Sequence, residues 1–268
     1  MSPPRASSRC STAAPSSGSE VGVTEVRVRP LECGWLTADT GTMLSGQDGR
    51  MRMPVAAFLV EHPDGIAVFD TGMHPELVQT TARLRSTAPL FDVELDAHWT
   101  LAGQLSAAGV APDDVDIAVL SHLHFDHCGG LGQLPRARVL VQQAEWDVAF
   151  DDGLVDFGVY NPGDFDLGHD RQLLDGEHDL FGDGSVVLLP TPGHTAGHQS
   201  LSIEGRLLLV GDACYCQQAL DLDALPPFGH DQGRQREGFA WLRKAQGAGT
   251  QLVFSHDPDQ WAALPDVL

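Results

Sequence analysis

The sequence predicts an α/β chain: two mixed β-sheets packed face to face with helices outside, a four-layer αββα sandwich. Three observations predict it. Short apolar runs of strand length recur from about residue 23 to residue 255, punctuated by Gly, Pro and Asp turns. Segments with helical spacing fall between them. Two stretches also repeat one plan: IAVFDTG and LLLVGDA each end a hairpin on an aspartate, and each is followed by a helix and then by a strand running into histidine, IAVLSH or QLVFSH. In such a sandwich a site gathers at strand ends, between the halves.

From the N-terminus, residues 1–20 are rich in Ser, Pro and Ala and lack an apolar core for a secretory signal, so a disordered tail is expected, with one domain over 21–268. VTEVRVRPLECGWL alternates like a strand and should break at Pro30 and Gly34. PVAAFLVEHPDGIAVFDTG reads as two apolar strands joined at His62-Pro63-Asp64-Gly65. WTLAGQLSAAG sets Leu101, Leu105 and Ala108 on one helical face, with Gly109 to cap its end. A buried strand then spans 117–120 and delivers SHLHFDHCGG at its end. ARVLVQ is a strand and AEWDVAF a helix. Residues 151–177 show no strong period and read as a long loop or flap with some strand at 171–174, of the kind that often carries function. SVVLLPTPGH is a strand entering a turn, HQSLSIEGRLLLVGDA a hairpin about Glu204-Gly205, QREGFAWLRKAQGAG a helix, and QLVFSHD a final strand.

Composition narrows the function. Sixteen Lys and Arg against 37 Asp and Glu leave a formal net charge of −21, which repels nucleic-acid phosphates and disfavours a strongly anionic substrate. No apolar run approaches the length of a membrane span. Five cysteines in no disulfide pattern fit a reduced, cytoplasmic compartment. Cys214 and Cys216 read as small apolar residues beside a site rather than as a redox or metal pair.

The chemistry concentrates in His122, His124, Asp126 and His127. In extended backbone, residues two apart point the same way, so His122 and His124 can share one ion. Asp126 and His127 fall beyond the bend and point toward a second. His194, Asp212 and His256 each stand at a strand end. Together they make five histidines and two aspartates, enough for two divalent ions with Asp212 as a shared carboxylate. Nitrogen and oxygen donors without thiolate suit zinc, iron, manganese or cobalt. Asp70 ends a strand and reads as an orienting group behind the ligands. His62, His74, His98, His169, His178 and His230 read as ordinary structural histidines; His198, four after His194, could stand behind the ligands as an orienting group, but a structural role is favoured.

FDTG at Asp70, HLHFDH at 122–127, His194, Asp212 and His256 together resemble the metallo-β-lactamase fold superfamily from about Val23 onward. More narrowly, SHLHFDHCGGL, TPGHTAGHQSL, GDACY, FSHD and RMPVAAFLVEHPDGIAVFDTGMHP resemble the N-acyl homoserine lactone lactonases of quorum quenching. Cys128 and Ser255 depart from that pattern without removing a ligand. The resemblance implies two divalent metals, most simply zinc. It places one on His122, His124 and His194, and the other on Asp126, His127 and His256, with Asp212 bridging. It implies a substrate-facing Tyr215, Asp126 as a proton relay, and opening of a small neutral lactone by a metal-bridging hydroxide. The protein would be a monomer or homodimer without membrane or nucleic-acid partners. Competing expectations are hydrolysis of another lactone, ester or thioester, as in glyoxalase II, and a mononuclear iron sulfur dioxygenase.

Overall fold

A computed structural model describes residues 25–268 of the protein. The expected tail over 1–20, the domain's expected start at 21 and Cys10 lie outside the described residues. Among them the strands run β1 (Arg27–Asp39), β2 (Arg50–His62), β3 (Gly65–Phe69), β4 (Asp92–Glu94), β5 (Ile117–Val119), β6 (Arg138–Gln142) and β7 (Arg171–Leu174). They continue with β8 (His178–Asp179), β9 (Val186–Pro190), β10 (Gln199–Ile203), β11 (Leu207–Leu209) and β12 (Gln251–Val253). The first sheet has seven strands in the order β4-β1-β2-β3-β5-β6-β7, and the second has five in the order β12-β11-β10-β9-β8. Both are mixed: antiparallel β2–β3 and β10–β11 hairpins each pass to a parallel partner, β5 and β12. The shared plan read in the two half-chains therefore exists as paired topology.

The layering follows from side-chain alternation. Phe58 and Val60 of β2 point between the sheets, where they meet Leu188, Leu201, Ile203 and Leu209. Their neighbours Ala57 and Leu59 point outward into a second apolar cluster with Leu101 and Leu105 of the helix Leu101–Ala107. On the far side, Phe239 and Leu242 of the helix Gln232–Gly247 cover Leu252 and Phe254. With both faces covered, Met53–Val60 is buried at every position, which is why it reads as a continuous apolar run.

Two expectations are corrected. The first strand does not break at Pro30: β1 runs 13 residues through it. Its outer neighbour β4 pairs only at Trp35–Thr37, so at Pro30 the missing N–H falls on an open edge. Gly34, at φ +103°, instead makes a register shift between Glu32 and Trp35. Residues 151–177 are not a plain loop either. They hold the helices Asp152–Phe157 and Pro162–Phe165 before β7. Each is started by a side chain that accepts early backbone N–H groups, Asp151 from Gly153 and Leu154, and Asn161 from Gly163.

Candidate metal centre

Strand ends of both sheets converge at one end of the sandwich. Asp70 follows β3, His122 follows β5, His194 follows β9, Asp212 follows β11 and His256 follows β12. The chain turns sharply after β5, and His124 caps a short helix, Phe125–Cys128, that carries Asp126 and His127. All seven residues come together. Ligand atoms of His122, His124 and His194 lie within 4.8 Å of one another, as do those of Asp126, His127 and His256.

Asp212 stands between the two sets with one oxygen toward each. Its Oδ2 lies 3.8 Å from His122 Nε2 and 3.3 Å from His194 Nε2. Its Oδ1 lies 3.3 Å from His127 Nε2 and 3.2 Å from His256 Nε2. Asp126 Oδ2 closes the second set at 3.7 Å from both of those nitrogens.

Hydrogen bonds behind the rings decide which nitrogens face inward. The His256 Nδ1–H donates to the Pro54 carbonyl at 2.8 Å, and the His127 Nδ1–H donates to Asp70 Oδ2 at 2.8 Å. Ser121 Oγ donates its only proton to the same Asp70 oxygen, so it accepts from His122 Nδ1 at 2.9 Å. Each ring therefore turns its Nε2 into the site, where a bound cation would take the place of any proton on it. The Nε2 atoms of His127 and His256 sit 3.3 Å apart, and His194 Nε2 sits 3.1 Å from His124 Nδ1. The Nε2 of His122 and Oδ1 of Asp212 are buried with no hydrogen-bond partner. Lone pairs crowded in this way, with carboxylates among them, are a fit for divalent cations.

The electrostatics agree. Burial and neighbouring histidines hold His122 well below its ordinary pKa. Burial drives His124 and His194 down to about 3, so all three rings stay neutral and able to ligate. Burial opposes charge on His127 as well, but the carboxylates of Asp212, Asp126 and Asp70 outweigh it and push the ring well above its ordinary value. Asp212 is itself buried, yet the facing His127 and His256 hold it well below the usual carboxylate range. The second set is thus the more negative pocket. Asp126 is raised, first by burial and also by Asp212.

A cavity of about 910 Å³ opens above the site. His124, Asp126, His194, Asp212, Tyr215 and His256 form its floor. Its walls are apolar, lined by Met43, Met53 and Phe150 together with Leu154 and Phe157 of the 151–177 region. Tyr215 is buried, its hydroxyl is 3.4 Å from His194 Nδ1, and burial holds its pKa well above the usual phenol value.

Sequence reasoning disfavoured one support, His198, and missed others. His198 donates from Nδ1 to Thr191 Oγ1 at 2.8 Å and accepts the Asp212 backbone N–H at 2.9 Å, so it positions Asp212 and has no nitrogen left for a metal. The Pro54 carbonyl and Ser121 are others, and the signal for both was only nearness to a strand end. Cys214 and Cys216 are buried free thiols. Burial raises the first well above its ordinary range and the second to about 11, so neither is a reactive pair. His62 stacks on Phe181 and accepts the Asp64 backbone N–H, a structural role.

A family model for the metallo-beta-lactamase superfamily matches residues 50–254. N-acyl homoserine lactonase AttM of Azorhizobium caulinodans is 33% identical over 261 residues, covering 90% of this chain and 97% of that protein. N-acyl homoserine lactonase AiiA of Bacillus thuringiensis subsp. kurstaki is 28% identical over 218 residues, covering 78% and 84%. A solved N-acyl homoserine lactone hydrolase, with the product N-hexanoyl-L-homoserine at its catalytic metal centre, superposes with a TM-score of 0.79 at 25% identity, covering 91% of this chain and 98% of that one.

Proposed function

The chain belongs to the metallo-beta-lactamase superfamily, and from that premise we propose that it is a dinuclear metal-dependent N-acyl homoserine lactonase acting as one catalytic unit over residues 21–268. One observation carries the reading. Two sets of inward-facing ligand atoms, joined by the two oxygens of Asp212, form the floor of an apolar cavity edged by a phenol. A neutral lactone head with an acyl tail matches that division. The relatives' activity supports the same assignment.

In this reading His122, His124 and His194 hold one cation, Asp126, His127 and His256 hold the other, and Asp212 contributes to both. Zinc is the simplest choice for such donors, and iron, manganese and cobalt are chemically admissible. When bound, the cations supply Lewis acidity and lower the pKa of water. The remaining work falls to the chain. Tyr215 keeps its proton, because its pKa is raised, and donates it in a hydrogen bond to the lactone carbonyl oxygen as negative charge develops there. Water adds to the carbonyl carbon, and the ring C–O bond breaks. Asp126 faces the cavity, takes the proton that the attacking water loses and passes it to the departing alkoxide. The product is a hydroxy acid, which ionises and releases one proton. Apolar side chains at Met43, Met53, Phe150, Leu154 and Phe157 seat the acyl chain.

The test is a pH-stat assay of the zinc-loaded protein against N-acyl homoserine lactones of short, medium and long chain. Rapid acid release that a chelator abolishes is the expected result. Two bound metals with no acid release from any lactone would overturn the assignment and leave simple esters and thioesters as the substrates to assay.

A further inference from the structure

The mechanism leaves one fully buried carboxylate unused. Glu145 lies in the first turn of the helix Gln143–Val148, with none of its surface exposed. Its Oε1 accepts the Leu123 backbone N–H at 3.1 Å and the Tyr160 hydroxyl at 2.9 Å. Its Oε2 accepts the Gly197 backbone N–H at 3.0 Å. These three donors come from three separate segments. Leu123 sits between His122 and His124. Gly197 lies three residues after His194 on the same turn. Tyr160 pairs with His124 through an isolated backbone bridge, and its ring meets the His124 ring edge-on at 5.0 Å.

The turn and the helix are also in close contact. A Cβ at Gly197 would fall 2.2 Å from the Glu145 backbone nitrogen, so only glycine allows this approach. Burial raises the Glu145 pKa, and the donors around it offset part of that rise. A carboxylate this costly to bury is held where each oxygen has a donor. It reaches both loops of the His122/His124/His194 set.

We infer that Glu145 is a positioning residue for that set: it fixes the distance between the 122–124 turn and the 194–197 turn, and so sets how tightly the three histidines hold their cation. It touches neither cation nor substrate. The inference rests on the metal-centre reading above but not on the identity of the substrate.

Glu145→Gln tests it with little change of shape. The amide can keep an acceptor toward Leu123 and Tyr160, but it then turns an N–H toward the Gly197 N–H and breaks that tether. The measurement is a zinc titration of the full chain against a chromophoric chelator. The expected result is one ion weakened by about 10- to 100-fold and the other held at wild-type affinity. Combining Glu145→Gln with His124→Ala should weaken the ions no further than His124→Ala alone, because both act on one set. Two ions at wild-type affinity would overturn the inference. Equal weakening of both would overturn it too, since that marks a general loss of packing. If Glu145→Gln does not fold, Tyr160→Phe removes one donor and leaves the carboxylate in place; a smaller loss at the same ion is expected, and no loss refutes the proposal. Metal affinity needs no turnover. A wild-type protein that opens no lactone, with Glu145→Gln still losing one ion, would end the lactonase reading and leave this one standing.

Discussion

The two ligand sets are close in space but supported differently. In the set of Asp126, His127 and His256, both imidazoles donate directly to fixed acceptors, Asp70 and the Pro54 carbonyl, which belong to the first sheet and its strand ends. In the set of His122, His124 and His194, only His122 has a fixed partner behind it, and that partner is Ser121, which relays to Asp70. Behind its ring, His194 Nδ1 meets the Tyr215 hydroxyl at 3.4 Å. Acceptors directly behind the rings hold one set, and in the other the Glu145 carboxylate ties together the backbone N–H groups of two turns. The difference teaches that equal-looking ligand triads can depend on distant residues of different kinds. Direct anchors fix ring orientation, whereas tethers fix the spacing of loops.

Four substitutions break or sharpen that contrast, from the largest effect to the smallest. Asp212 serves both sets, so Asp212→Asn should lower the content of both metals and cut lactone opening by more than the ~10- to 100-fold that loss of a supporting residue costs. Metal analysis beside the rate checks it, and selective loss of one ion would disprove the shared role. Tyr215→Phe should lower kcat by about 100-fold, the scale of one lost oxyanion donor, with both metals retained. An unchanged kcat would remove the phenol from the reaction. Asp70→Asn should weaken the ion held by His127 by about 10-fold or more, and the ion held by His122 less, because the second effect passes through Ser121. Equal losses would erase the distinction between direct and relayed support. Ser121→Ala should weaken chiefly the ion of the His122 set, by about 2- to 10-fold, the worth of one hydrogen bond, because Asp70 keeps its direct bond to His127. Competition with a chelator at two zinc concentrations resolves that change.

Much of this was legible in the sequence because it is local. HLHFDH puts four candidate ligands within six residues, and the hairpin plan of IAVFDTG and LLLVGDA places Asp70 and Asp212 at strand ends. What remained hidden depends on tertiary approach. Nothing in the residues around Asp212 says that Oδ1 faces one set and Oδ2 the other. Nothing in AEWDVAF singled out Glu145, since two of its donors are backbone groups of residues 22 and 52 positions away and the third is the Tyr160 hydroxyl. Pro30 suggested a break because a sequence does not show which edge of a strand is open. The helices at Asp152–Phe157 and Pro162–Phe165 are too short to show a helical period, although Asp151 and Asn161, their caps, stood in view.

The mouth of the cavity has a consequence for handling the protein. Phe150, Leu154, Phe157 and Phe228 stay about two-fifths exposed around it, on a body that carries a formal charge of −21. Mutual repulsion opposes contact between such mouths near neutral pH. Acidification into the carboxylate range removes that repulsion and leaves the apolar rims free to meet, so concentrated stocks should cloud on mild acidification before the fold itself is lost, and salt that screens the charge should bring the clouding on at a higher pH.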